Sequence, residues 1–325
     1  MDSNIPYIVK ADSTGNIQDW IKLNKSWMDS TLDSHGAILL RGFSIAGESE
    51  FKEAVNLLSA NPLNYVYRST PRTSLGAGVY TATEYPAGLT IPQHCENSYQ
   101  REWPLRLLFF CEYPADGGGG ETPLANVVNV TRRIDPAVQE RFGEKQVMYI
   151  RNYRQDLDLP WQTVFQTDSK SEVETFCRTQ EIAWEWTGPD SLRTRQVCQA
   201  FARHPRTGAK VWFNQAHLFH PTGLDKQTRT AMLKMFKEDD LPRNAAYGDG
   251  SPIAEADLEN VRDAFRNEIV AFPWEAGDVL VVDNMLVSHG RNPYKGKRRV
   301  LVGMCDQFSP DHAPQPAILS HAGPS

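Results

Sequence analysis

The sequence predicts a mainly β fold with helices, an α+β protein in which a β-sandwich or jelly roll carries a helical insert. Three observations lead there. Apolar runs bounded by turn residues recur toward both ends of the chain, and amphipathic helical patterns fill the middle, about residues 130–245. No internal repeat and no linker divides the 325 residues, so they read as one domain with that insert and a mobile tail over about 309–325. In a sandwich or jelly roll, segments far apart in sequence can meet at the mouth. Propensity alone leaves another α+β arrangement open.

The elements follow in order. Residues 17–34 read as a helix with Trp20, Leu23, Trp27 and Leu32 along one stripe. The glycine-bounded apolar run from His35 to Phe43 is a buried strand. Glu48 to Ala60 is a second helix, opened by acids that suit the helix dipole and stopped by Asn61-Pro62. Asn64 to Thr90 reads as loops and short strands. Pro104 to Tyr113, with Leu105, Leu107, Leu108, Phe109 and Phe110, is a strand buried on both faces. A turn of glycines at 117–120 follows, and Glu121 to Asn126 re-enters the fold. In the insert, Pro136 to Phe142, Ser171 to Thr179 and Lys226 to Lys237 are amphipathic. Gln196 to His204 and Ala209 to Gln215 read as strands split by a turn at Pro205–Gly208. A helix at Ala254 to Asn267, a strand from Gly277 to Asn284, a turn at Lys295–Lys297 and a strand from Arg299 to Met304 close the chain.

Composition removes several function classes. Hydrophobic residues make up 40% and charged residues 23%, a globular balance. The net charge of −6, with no long basic stripe, gives nucleic-acid binding no support. No apolar run approaches a membrane span, and the first residues lack the regions of a signal peptide. Cys95, Cys111, Cys177, Cys198 and Cys305 are scattered, without a Cys-x-x-Cys, which fits a reduced, cytoplasmic protein.

The chemistry concentrates in Pro92-Gln93-His94-Cys95-Glu96-Asn97-Ser98-Tyr99. If this stretch is extended, alternation sets His94 and Glu96 on one face and turns Cys95 away as a small buried hydrophobe. A third ligand is available in His289, after the apolar strand that ends in Asp283-Asn284. Two histidines and one carboxylate with open positions left over are the ligand set of non-haem Fe(II) oxygenases. They also bind catalytic zinc, so a zinc hydrolase is a rival, and a jelly-roll binding module without metal is another. A His-x-Glu by itself is a weak signal.

The His94-x-Glu96 segment, the Gly-Gly-Glu-Thr segment ending at Thr122 and the block Asp283-Asn284…His289-Gly290-Arg291…Arg298-Arg299 occur in an order that resembles the taurine dioxygenase (TauD/TfdA) superfamily, from about Ile38 to Met304. Within it the chain is most similar to the syringomycin-pathway-type hydroxylases of natural-product biosynthesis. The resemblance implies a double-stranded β-helix, or distorted jelly roll, and an Fe(II)- and 2-oxoglutarate-dependent dioxygenase that consumes O2. It implies His94, Glu96 and His289 as iron ligands. Glu96 departs from the commoner aspartate, so its longer side chain must fold back to reach the metal. A carboxylate there argues for hydroxylation, or desaturation or epoxidation, against halogenation.

The resemblance also implies an arginine and Thr122 for the distal carboxylate of 2-oxoglutarate. A guanidinium grips a carboxylate with two parallel hydrogen bonds. Arg298 is favoured; Arg299 points to the opposite face and is the alternative. Gln93, Asn97, Ser98, Asn214 and Gln215 are candidate substrate contacts, each with an ordinary packing or capping role as an equal reading, and Phe219 and Arg291, the latter toward an acidic group, are further candidates. Arg291 also has Asp283 as a candidate partner. Tyr80, Tyr85, Phe213 and Phe219 offer an aromatic wall, although such residues more often build cores. His217 and His220 read as polar residues near the pocket rim rather than a metal pair. By analogy, the substrate is a small molecule, an amino acid or a derivative, free or carrier-bound.

Overall fold

The structure is a computed structural model and describes residues 5–11, 15–59, 67, 73–82, 85–154 and 158–310. Its centre is a seven-stranded sheet. In spatial order the strands are Tyr7–Lys10, Ala37–Arg41, Val279–Asp283, Trp103–Tyr113, Arg299–Phe308, Val79–Thr81 and Ser74–Gly76. Facing it is a smaller sheet of Ile269–Val270, Leu124–Asn126, Val287–Arg291 and Ile91–His94.

Strand alternation assigns each central residue to a side. Ile38, Leu40, Leu108, Phe110, Val279, Val281 and Leu301 lie beneath two helices, Ile17–His35 and Gly47–Leu58. Ala37, Leu39, Leu107, Phe109, Leu280, Val282 and Val302 point the other way and meet Leu124 and Val287 of the smaller sheet. The strands are buried on both faces, which explains their continuous apolar runs. The inner layer between the two sheets is the mouth in which the site is built.

The first helix begins where Asn16 accepts the Asp19 N–H at 3.1 Å. Its buried stripe differs from the expected one. Ile17, Ile21, Met28 and Leu32 face the core, Leu23 is 86% exposed, and Trp27 is 39% exposed. Trp20 and Trp27 pack edge-on at the flank of the helix. Their size drew the stripe toward them, but the 3.6-residue period through Ile17 and Ile21 sets the core face.

The stretch read as a largely helical insert is mixed. It holds a four-stranded antiparallel sheet of Arg243–Tyr247, Val147–Tyr153, Ser191–Cys198 and Ala183–Gly188. Helices Pro136–Lys145, Lys170–Thr179 and Glu255–Arg266 contribute Val138, Phe142, Val173, Leu258 and Val261 to the core packed around it. No clean apolar alternation marks these strands in the sequence, because polar residues take some of the inward positions. Thr194 and Gln196 are buried on Ser191–Cys198, while Arg193 pairs with Asp240 at 2.6 Å. The expected strand from Gln196 to His204 is broken at Gln199 and Ala200. There the Gln199 carboxamide leaves the ladder and donates to the carbonyls of Ser98 and Gln100, at 3.1 and 2.9 Å. The strand expected over Ala209–Gln215 is shorter, Lys210–Trp212, paired with Phe201–Arg203. The Asn61-Pro62 stop and nearly all of the tail lie outside the described residues. Among those described, no helix is long and apolar enough to cross a membrane.

Candidate metal centre and dicarboxylate pocket

In the smaller sheet His94 and His289 are direct cross-strand partners. Their rings lie 4.4 Å apart between centroids. Ile91–His94 ends there, and the chain turns through residues 96–99. Glu96 is thus two residues beyond the strand rather than on it, yet its side chain returns to the same point. His289 Nε2 and Glu96 Oε2 are 3.9 Å apart, and His94, Glu96 and His289 each offer a ligand atom within 4.8 Å of the others. Cys95 turns away, buried in an apolar cluster with Trp103, Phe213, Met285 and Leu286, and burial pushes its thiol well above the usual range.

His94 Nδ1 lies 2.9 Å from the carbonyl of Pro92. A carbonyl only accepts, so Nδ1 carries the proton and Nε2 keeps its lone pair for an ion. Phe109 packs against His289 at 5.2 Å between centroids and excludes water from that side.

A cavity opens beside the cluster. Its walls include His94, His289, Thr122, Arg298 and Arg291, with Ile91, Phe109, Val300 and Val302 as the apolar part. The two candidate arginines are separated by strand alternation. Arg299 lies on the outer face, bonded to Glu112 and 3.1 Å from Glu48. Arg298 faces the cavity. Its Nε donates to the Gly120 carbonyl at 2.9 Å, and it makes no ion pair among the described residues. Burial in apolar walls lowers its pKa to about 10, so it remains charged near neutrality.

The glycine turn explains itself here. A Cβ on Gly120 would stand 2.8 Å from Arg298 Cδ, and one on Gly119 would stand 2.2 Å from the Pro293 carbonyl; both have φ near +80°. Only glycine lets this backbone approach the arginine so closely. Thr122 Oγ accepts the indole N–H of Trp274 at 3.2 Å. Since an indole only donates, the Thr122 hydroxyl proton is free to point elsewhere.

Most candidate substrate contacts have other duties. Gln93 donates to Pro123 O at 2.9 Å and accepts from Ser288 Oγ at 2.7 Å. Ser98 Oγ donates to Cys95 O, Asn214 caps its own turn through Ala200 O and Ala216 N, and Gln215 donates to Cys95 O at 2.8 Å. Phe219 stacks among Tyr99 and Tyr149 in the core around the insert's sheet. Tyr80 and Phe213 are core residues as well, so the aromatic wall does not form. Asn97 is buried with φ +58° and no hydrogen-bond partner on Oδ1.

Arg291 does line the cavity. Its terminal nitrogens, however, donate to the carbonyls of Tyr85, Pro86 and Leu89, at 2.8, 2.6 and 2.7 Å. It is not paired with Asp283, which bonds instead to His204 at 2.9 Å and Arg206 at 3.4 Å. The hairpin bearing His204 reaches Asp283 from the insert, so that carboxylate is already occupied. His217 Nε2 donates to Gln93 O at 3.1 Å and His220 Nδ1 meets Thr222 Oγ at 2.9 Å; neither joins the cluster at Glu96. Two residues beside the site carried no expectation of their own: Trp274, which no local pattern marks, and Asn284, which sits in a noted block without a role.

Two facing sheets with a histidine pair at their mouth define a double-stranded β-helix with a candidate metal centre. The chain belongs to the taurine catabolism dioxygenase TauD, TfdA family, whose model matches residues 3–305, and this makes it an oxidoreductase. It is 43% identical over 289 residues to the dapdiamide synthesis protein DdaC of Enterobacter agglomerans, covering 89% of this chain and 88% of that one. It is 32% identical over 296 residues to a clavaminate synthase-like protein of Arabidopsis thaliana, with 88% and 86% covered. Among solved structures it is similar to PvcB of Pseudomonas aeruginosa. The TM-score is 0.53 at 15% identity, over 91% of this chain and 84% of that one, a likeness of fold.

Proposed function

We propose that this protein is an Fe(II)- and 2-oxoglutarate-dependent dioxygenase that oxidises an unactivated C–H of an amino acid or amino-acid-derived metabolite, by hydroxylation. One observation carries the reading. Two imidazoles and a carboxylate converge beside a half-buried guanidinium that pairs with no acid among the described residues. The donor set fits the ion, since two neutral nitrogens and one carboxylate oxygen on one side are what non-haem Fe(II) oxygenases use.

In this reading His94, Glu96 and His289 hold the iron. Arg298 grips the distal carboxylate of 2-oxoglutarate through its free terminal N–H groups, and Thr122 adds its hydroxyl. When bound, iron and 2-oxoglutarate together activate O2 for C–H oxidation, releasing succinate and CO2. The protein's own work is positioning and exclusion. The Pro92 carbonyl fixes the His94 tautomer, and Phe109, Val300 and Val302 keep the wall dry. The 43% identity to a natural-product synthesis protein supports a small-molecule substrate in secondary metabolism, free or carrier-bound.

The test is O2 uptake and succinate release across a panel of amino acids and derivatives. Both should depend on Fe(II) and 2-oxoglutarate, and His289→Ala should abolish both while circular dichroism stays unchanged. Wild-type activity in that variant, or zinc-dependent hydrolysis without O2 uptake, overturns the proposal.

A further inference from the structure

Glu96 presents a backbone problem. Pairing between Ile91–His94 and Val287–Arg291 reaches only as far as His94 opposite His289. One residue later the chain has left the ladder while still buried; Glu96 is 3% exposed. Its N–H and C=O need partners, because an unpaired buried peptide group costs as much as a lost hydrogen bond. Both are met by one side chain. Asn284 Oδ1 accepts the Glu96 N–H at 2.7 Å, and Asn284 Nδ2 donates to the Glu96 carbonyl at 2.9 Å. The second proton of Nδ2 goes to the Pro104 carbonyl at 2.8 Å. The carboxamide acts as a substitute peptide unit where no strand neighbour exists.

The anchor itself is firm. Asn284 is fully buried, and its own N–H donates to Leu105 O at 2.9 Å. It lies in the turn that crosses from Val279–Asp283 of the large sheet to Val287–Arg291 of the smaller one, the strand that carries His289. The acid of one segment and the distal histidine of another are therefore tied through Asn284 without any ion between them.

We infer that Asn284 is a positioning residue that holds Glu96 in ligating register, so that the metal centre is formed before metal arrives. The inference rests on the proposed metal-centre reading. It also accounts for how a glutamate serves there. With its backbone held at both polar groups, the longer side chain has only its own rotamers to settle.

The experiment is metal binding to the full-length apo-protein, with anaerobic calorimetry for Fe(II) and visible absorption for Co(II). Asn284→Asp keeps the shape and an acceptor for the Glu96 N–H but loses both donors. Asn284→Ala loses all three bonds. Each should weaken Fe(II) and Co(II) binding about 10–100-fold, the usual scale for groups that orient ligands, and alter the Co(II) spectrum. The control is Asn152→Ala, which removes three side-chain bonds far from the centre, two donated to Asp239 O and Leu241 O and one accepted from Arg193 Nε. It should lower Tm and leave metal affinity unchanged. Wild-type affinity and Co(II) spectrum in folded Asn284 variants would overturn the inference. Should neither variant fold, hydrogen exchange on the wild-type apo-protein decides. A Glu96 amide as protected as those of Val287–Arg291 supports a preformed site, and one protected only after metal is added refutes it. Failure of the wild type to bind either metal would instead remove the underlying reading.

Discussion

Arg298→Gln is the substitution whose consequence follows most directly from the geometry. Arg298 is half-buried, lines the cavity and, among the described residues, hydrogen-bonds only through Nε, to Gly120 O. The remaining N–H groups are available for a carboxylate. A hydrogen bond to a charged group is worth roughly 1.5–3 kcal/mol, so losing a two-pronged grip removes at least about 3 kcal/mol of binding. At about 1.4 kcal/mol per tenfold, KM for 2-oxoglutarate should rise by roughly two to three orders of magnitude. The grip is the same before and during reaction, so kcat at saturating 2-oxoglutarate should change little. Arg298→Lys keeps the charge but loses the planar fork and should raise KM roughly 10–100-fold. Arg299→Gln disturbs only bonds to Glu112 and Glu48 and should stay within about twofold of wild type. The assay is succinate formation against 2-oxoglutarate concentration at saturating Fe(II). An unchanged KM in Arg298→Gln, or a large rise in Arg299→Gln, would refute the assignment.

Three further outcomes are expected. Gly120→Ala places a methyl 2.8 Å from Arg298 Cδ and Nε, so it should raise KM for 2-oxoglutarate at least about tenfold in the same assay. His204→Ala removes the buried bond to Asp283, and urea unfolding should show a loss of about 2 kcal/mol. Burial lowers the His217 pKa to about 3, below the ordinary 6.5. Its neutral form is thus favoured by folding, and the contribution is complete above pH 6.5 and lost as pH falls toward 3. Between those values stability should drop by up to about 1.4 kcal/mol per pH unit from this group, and His217→Gln should flatten that slope in urea titrations between pH 4 and 7.

Local pattern went furthest where a single local force decides the outcome. The doubly buried strands Trp103–Tyr113 and Val279–Asp283 were legible as unbroken apolar runs, because both faces must be dry. The glycine turn was legible as a close approach, though not what approaches it. The strands around Arg193 and Thr194 were not, because polar residues interrupt their apolar pattern and meet their partners, Asp240 and Tyr153, only across the fold. The core face of the first helix runs through Ile17 and Ile21 rather than Trp27, because ring size says nothing about which face of a helix turns inward.

By itself the chain determined the chemical types at the centre: two imidazoles, one carboxylate and adjacent arginines, since side-chain chemistry is written one residue at a time. Only the tertiary structure decided which arginine faces inward, that most flanking polar residues brace the backbone, and that Asn284 holds Glu96. Those outcomes depend on strand register and on groups brought together from opposite ends of the sequence. A hydrogen bond spanning 188 residues, as between Asn284 and Glu96, leaves no local periodicity to read.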